Sequence, residues 1–210
     1  MSEKAKEFRG IENLVFAEIT EDTADNYTCG TVEALAPVAE LVKETENSSE
    51  AHYYDNKPLV VIQGIGVDTV TVQAAVLPLD VLAKITGRTY DATKGMLVEG
   101  KRKEKYFAMG YKTKATDGSY RYVWRLKGTF NIPSSTHSTE NQDTDANGQE
   151  LVFTGIQTIH KFAAADNDGA FAIVVNGEKT NDTSFFAIVQ DPDTFTPVTN
   201  SGSGSTTGNG

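Results

Sequence analysis

The sequence predicts a mainly β fold, an antiparallel β-sandwich or barrel with one flanking α-helix. Three observations carry that expectation. From Tyr120 every second residue is large and apolar or glycine: Tyr120, Tyr122, Trp124, Leu126, Gly128, Phe130 and Ile132. A period of two sustained this long fits a half-buried strand and not a helix. Asp117-Gly118 separates this run from a second apolar run at Tyr106–Tyr111, and such a dipeptide closes a two-residue hairpin turn at little cost. Only Pro78 to Thr86 carries clear helix punctuation, with proline at its start, Gly87 at its end and a stripe of Leu79, Leu82 and Ile85.

The remaining elements follow from the same signals. Ile11 to Thr20 reads as a first strand, followed by a polar turn at Glu21 to Asn26. Tyr27 to Val42 is mixed, with room for short strands. Leu59 to Gln63 and Val67 to Val76 read as two strands joined by a turn at Gly64-Ile65-Gly66. In the hairpin, a two-residue turn pairs Thr116 with Ser119, so Tyr111 meets Trp124, Met109 meets Leu126 and Lys114 meets Arg121. Pro133 to Gln149 is a long polar loop with no apolar residue larger than alanine after its proline. Leu151 to Phe162 and Phe171 to Val175 are strands, and Ser184 to Gln190 fits strand or helix equally. The expected organisation is an N-terminal arm at 1–10, one domain at 11–195 and a disordered tail of Ser, Gly, Thr and Asn at 196–210.

At 210 residues the chain suits one sizeable domain. No run of about 18 apolar residues exists to span a membrane as a helix. The charged N-terminus carries no secretory signal pattern, and the single cysteine, Cys29, has no internal disulfide partner. The net charge of −10 is unevenly spread: between Lys101 and Lys127 stand nine Lys or Arg residues and two acids. The predicted register places Lys112, Lys114, Arg121, Arg125 and Lys127 on one hairpin face. Like charges opposed across strands repel, so this face is expected either to dock an acidic surface or to stand as a solvated basic face. The acids Glu140, Asp143, Asp145 and Glu150 are the candidate negative partners on a second copy. An acidic protein is otherwise a poor general binder of nucleic acid.

Signals for catalysis or cofactors are missing. His52, His137 and His160 lack metal-ligand spacing, no Cys-x-x-Cys occurs, and Gly64-Ile65-Gly66 has neither the third glycine nor the helix of a dinucleotide site. Asp143 to Gly148 fits the first half of a calcium loop, but the position that needs the bidentate glutamate is Thr154. The expectation is no enzyme, no metal and no cofactor. A carbohydrate-binding β-sandwich, with Tyr111, Tyr122 and Trp124 as a sugar platform, stands as the alternative.

An ordered set of motifs also resembles a known family. Gly10-Ile11-Glu12-Asn13-Leu14-Val15-Phe16-Ala17 is similar to the opening strand of the major tail proteins, the tail-tube subunits of long, non-contractile-tailed bacteriophages. His52-Tyr53-Tyr54-Asp55-Asn56 is similar to their aromatic-aspartate-asparagine step. Phe107-Ala108-Met109-Gly110-Tyr111, Gly118, Arg121 to Phe130 and Pro133 are similar to their central hairpin. The resemblance spans roughly Phe8 to Ala187. It implies a ring-forming sandwich, six copies per ring, rings stacked into a tube, contact with other tail proteins, and passage of viral DNA without specific binding. It further implies a place in the virion after synthesis in the bacterial cytoplasm. Four strands from each of six subunits, at about 4.8 Å spacing, enclose a bore about 37 Å across between backbones. By position, Pro133 to Gln149 is the expected inter-ring loop and Ser2 to Arg9 the expected joining arm. A tail terminator or the tube of a contractile machine shares the same ring-forming sandwich and remains an alternative.

Overall fold

A computed structural model describes residues 6–54, 57–135 and 148–198. Among the described residues twelve strands are all paired antiparallel, and the main sheet stays open rather than closing into a barrel. The strands are β1 (Phe8–Asp22), β2 (Tyr27–Cys29), β3 (Glu33–Ala34), β4 (Val38–Tyr54), β5 (Lys57–Ala74), β6 (Thr89–Asp91), β7 (Met96–Val98), β8 (Phe107–Ala115), β9 (Tyr120–Phe130), β10 (Ser134–Ser135), β11 (Gln149–Gly155) and β12 (Ala172–Asn176). The main sheet runs β2-β1-β8-β9-β11-β5-β4, with β3 on β1, β10 on β11 and β12 on β9; β6 and β7 form a separate small hairpin. The flanking helix is α1 (Leu79–Thr86), and a single turn, α2 (Asp182–Phe185), follows β12.

The hairpin β8–β9 is present, but its register differs by one residue from the expected one: Tyr111 lies opposite Val123, Gly110 opposite Trp124 and Lys114 opposite Tyr120. The turn causes the shift. The Asp117 carboxylate accepts from both the Ser119 N–H and its hydroxyl, at 3.0 and 2.6 Å. Ala115 N–H donates to the Ser119 carbonyl, and Gly118 N–H to that of Ala115. Only Gly118, at φ 86°, takes the left-handed conformation. The loop is therefore three residues, Thr116 to Gly118, ended by a left-handed glycine.

That single slip redistributes every side chain. Arg121, Val123 and Arg125 face the side of Tyr111 and Met109, whereas Lys112 and Lys114 share the other side with Tyr120, Tyr122 and Trp124. The expected basic row is thus split between the two faces. A bulge follows, because Phe107 pairs with Gly128 while Met109 pairs with Arg125. The extra residue reverses the alternation, so Phe130 joins the core of the Tyr111 side and Leu126 that of the Trp124 side. Both faces of β9 are buried because both are covered. On one, Phe16, Val70, Phe107, Phe130, Leu151 and Phe153 pack together. On the other, Trp124 lies under Phe185 and Phe186.

Beyond the bulge the sheet forks. β12 pairs with Arg121–Arg125, and β11 pairs with Gly128–Phe130 on the same edge. Where the sheet branches, Gly128 leaves no room for a Cβ, which would lie 2.4 Å from the Phe153 ring and 2.5 Å from the Thr154 carbonyl oxygen.

Two further expectations need correction. Gly64-Ile65-Gly66 is not a turn but part of an unbroken β5. Gly66 sits where β5 itself carries an extra residue, Gly66 and Val67 lying opposite Glu46 alone, and a Cβ there would meet Glu46 at 2.9 Å. Glycine in a strand marks such a bulge. In α1 the buried positions are Val81, Ala83, Ile85 and Thr86, and Leu79 is exposed. The apolar face therefore begins at Val81, with Leu82 at its border.

Candidate functional site

Three of the five hairpin cations are neutralised from within the chain. Lys112 Nζ lies 2.7 Å from Asp182 and 3.1 Å from Glu12. Lys127 Nζ lies 2.6 Å from Asp22. Arg125 pairs with Asp68, which also accepts from Thr45 at 2.7 Å and sits 3.0 Å from Lys43. Lys112, Arg125 and Lys127 are 7%, 9% and 6% exposed, so their charges are met by these acids and not by solvent. The internal acids relieve the repulsion expected on a solvated basic face. Of the other two, Arg121 stacks over the Phe8 ring and Lys114 over the Tyr120 ring, at 5.5 and 5.4 Å from the centroids.

Each internal acid also fastens a segment to the sheet. Asp182 accepts from Asn13 (3.0 Å), Lys112 and the Tyr122 hydroxyl (2.7 Å), which ties α2 to the β1 bulge, where Asn13 is left-handed at φ 55°. Partial burial opposes the Asp182 charge, but the hydrogen bonds from Lys112 and Tyr122 outweigh it and hold the carboxyl below the usual carboxylate range. The same pairing raises Lys112 above the ordinary lysine value despite the opposing effect of burial. Desolvation and the Asp182 bond push the Tyr122 hydroxyl up to about 12. Asp22 receives the N–H groups of Ile159 and His160 as well as Lys127. These donors again overcome the burial penalty and lower its pKa.

Of Arg121 and Lys114, Arg121 borders a groove of about 770 Å³ at one end of the sheet. Tyr111, Thr113, Val123 and Val174 line it together with Arg121 and Arg125. Its sides are Phe8 and Ile11 of β1 and Leu41 and Lys43 of β4. Arg125 Nε is buried without a hydrogen-bond partner, and Phe8 and Val174 are 67% and 60% exposed. The groove is apolar in most of its walls, and its charged groups are Lys43, Arg121 and Arg125 together with Glu40.

A second feature is the far half of the β4–β5 hairpin. β5 pairs with β11 only from Asp68 to Ala74. Beyond that, Asn47–Tyr54 pairs with Lys57–Ile65 and with no third strand among the described residues. A two-stranded ribbon is marginal by itself in water.

The sugar platform is not formed: Trp124 is wholly buried, Tyr111 and Tyr122 are 4% and 6% exposed, and Trp124 Nε1–H donates to the Phe185 carbonyl at 3.0 Å. Cys29 is half-buried, and desolvation pushes its thiol up to about 11. Glu150 is bound by the Gln73 amide at 2.8 Å. Glu140, Asp143 and Asp145, and with them all but Gly148 of the calcium-like stretch, lie outside the described residues. Asp68, Asp22 and Asp182, the acids that organise the site, carry no motif; the one sequence signal is a lone acid in the apolar run Val67-Asp68-Thr69-Val70.

Among solved structures, the chain is similar to the tube-terminating cap of the anti-feeding prophage, at 8% identity and a TM-score of 0.36, over 78% of this chain and 87% of that one. No curated protein matches the chain. The model of the phage tail tube protein family matches residues 41–196, from the first third of β4 to the residues past α2. This match covers well over half of the sequence, and the chain belongs to the phage tail tube protein family.

Proposed function

We propose that the protein builds the tube of a long, non-contractile phage tail by forming six-membered rings that stack around a bore wide enough for duplex DNA. Family membership makes it a structural tail component that assembles with itself and with other tail proteins. The observation that carries the finer reading is the β4–β5 ribbon, whose backbone edges have no third strand among the described residues. In a monomer such edges invite aggregation, and in a ring they close the barrel against a neighbour. A net charge of −10 suits a lumen that repels phosphate, so that DNA slides without adhering.

The charge pattern refines the subunit contacts. Arg121 and Lys114 provide the hairpin's positive side chains that no acid neutralises among the described residues, and Lys112, Arg125 and Lys127 shape the surface around them from their internal pairs. Glu140, Asp143, Asp145 and Glu150 provide the negative half from an adjacent copy. The protein works in the virion, after synthesis in the host cytoplasm, and its work is mechanical rather than catalytic. Electron microscopy of concentrated purified protein tests this: hollow rods with six-fold cross-sections are expected. A chain that stays solitary at high concentration, even beside a tail initiator, overturns it.

A further inference from the structure

We infer that the small β6–β7 hairpin of one copy seats in a groove at the opposite end of α1 in a second copy, with Met96 and Val98 on the apolar walls and Lys101 beside Glu12. The inference rests on the self-assembly reading and names one contact through which assembly occurs.

The incoming side is a strand face left bare. Among the described residues β6 and β7 pair only with each other, and a hairpin of two strands needs packing to persist. In β7, Leu97 is half-buried, whereas Met96 and Val98 on the other face are exposed. The solvated face of a strand is ordinarily polar. Here it is apolar and stands among cations, since Arg88 to Lys103 carry five bases and two acids. Arg88 pairs with Glu99 and Lys94 with Asp91. Arg102 donates to the carbonyls of Thr86 and Phe130. Lys101 and Lys103 are exposed and pair with no acid among the described residues.

The receiving side is a groove of about 680 Å³ at the N-terminal end of α1. Leu14, Leu35, Val76, Val81 and Phe186 stand in its apolar walls, and its charged groups among the described residues are Glu12 and Asp182. Both carboxylates share one ammonium, Lys112, which leaves a net negative charge. Asp182 also accepts from Asn13 and Tyr122, whereas Glu12 is met by Lys112 alone among the described residues. Glu12 therefore has acceptor capacity for a second cation. An apolar face among cations matches apolar walls beside carboxylates, and the charges fix its orientation.

Geometry makes the contact intermolecular. α1 has eight residues, with Val81, Ala83 and Ile85 buried in the core, and is about 12 Å long. Pro78 and Val81 line the groove at its start. β6 begins just past its end, where the Lys103 N–H donates to the Gly87 carbonyl. The helix thus holds hairpin and groove apart within one molecule. Patches at the two ends of one rigid element meet head to tail in successive copies, a heterologous contact that repeats.

The test combines a disulfide trap with microscopy. In a Cys29→Ser background, Val76→Cys on the groove rim and Val98→Cys on the hairpin, both at exposed positions, are placed in separate chains, mixed at high concentration and oxidised with copper–phenanthroline. The mixture is expected to give a covalent dimer at about tenfold the yield of either chain alone, because a formed contact holds the two thiols at high effective concentration. An equal yield from the Val98→Cys chain alone overturns the groove as the hairpin's seat. Rods seen together with the excess dimer support both readings. The excess dimer without rods supports the contact and overturns the ring reading. Rods without the excess overturn the contact, and the absence of both overturns the two together.

Lys101 gives an independent readout. Its side chain is exposed, so Lys101→Glu is expected to leave the chemical denaturation midpoint unchanged. In the mixed chains it is expected to lower cross-linking about threefold, with Lys101→Arg keeping the parent yield. Undiminished cross-linking in Lys101→Glu overturns the Lys101–Glu12 pairing.

Discussion

The two long hairpins of this protein, β8–β9 and β4–β5, are built on opposite terms. In β8–β9 both faces are covered, and the cations that no apolar core tolerates alone are answered by Asp22, Asp68 and Asp182 from distant parts of the chain. In the outer half of β4–β5, two strands pair with each other and with no third strand among the described residues, although β5 reads Leu59-Val60-Val61-Ile62 there. The first hairpin is complete within one molecule. The second carries apolar sequence and edges that no third strand covers among the described residues. On the proposed reading stability belongs to the first hairpin and assembly to the second, and substitutions in each should separate the two properties.

The largest effect is expected where the self-sufficient hairpin is broken. Asp68→Ala leaves Arg125 buried without its carboxylate, and losing one member of a buried pair costs about 3–5 kcal/mol; chemical denaturation should show the loss, with any failure of assembly secondary to unfolding. Gly128→Ala drives a methyl group into the Phe153 ring and the Thr154 carbonyl, an overpacking cost of about 1–3 kcal/mol. The same measurement should show a lowered midpoint with little change in slope.

Asp182→Asn comes next. It weakens the bonds to Lys112, Tyr122 and Asn13, and because the carboxylate is 47% exposed the loss is reduced by solvent screening to about 1–2 kcal/mol. Its pH dependence has a definite sign. The folded pKa lies below the unfolded carboxylate value of about 3.9, so the contribution is present above that value and fades as pH falls through the folded pKa. Lys112 has the opposite dependence: its raised pKa gives a contribution present below the ordinary lysine value and lost as pH rises through the folded one. The variant should therefore denature less steeply with acid than the parent, with Asp22 supplying the acid sensitivity that remains. The smallest stability effect belongs to the groove rim: Val174→Ser, at a 60% exposed position, should shift the denaturation free energy by no more than about 0.5 kcal/mol.

The sequence made the self-sufficient hairpin legible and left the ribbon half hidden. Alternation from Tyr120 to Phe130 identifies β9, and proline and glycine bracket α1. The register was lost to a turn whose geometry depends on Asp117 bonding Ser119, a choice between two and three loop residues that composition does not make. The unbroken apolar run Phe107-Ala108-Met109-Gly110-Tyr111 was the available sign that both faces of this hairpin are buried, since a strand with one wet face alternates. β4 is hard to read in the sequence because Lys43-Glu44-Thr45-Glu46-Asn47 is polar on both faces, as a strand leaving the core should be. The acids of the candidate site were invisible for a different reason: Asp22, Asp68 and Asp182 lie 105, 57 and 70 residues from the cations they bind, a pairing made by topology alone.

The most direct test replaces Asn47–Gly66 by a short Asn-Gly turn and compares the trimmed and full-length chains by thermal denaturation and electron microscopy. The account predicts a trimmed protein that melts cooperatively within a few degrees of the parent and forms no rods at concentrations where the parent does. Rods from the trimmed chain would contradict it, as would a trimmed chain that no longer folds.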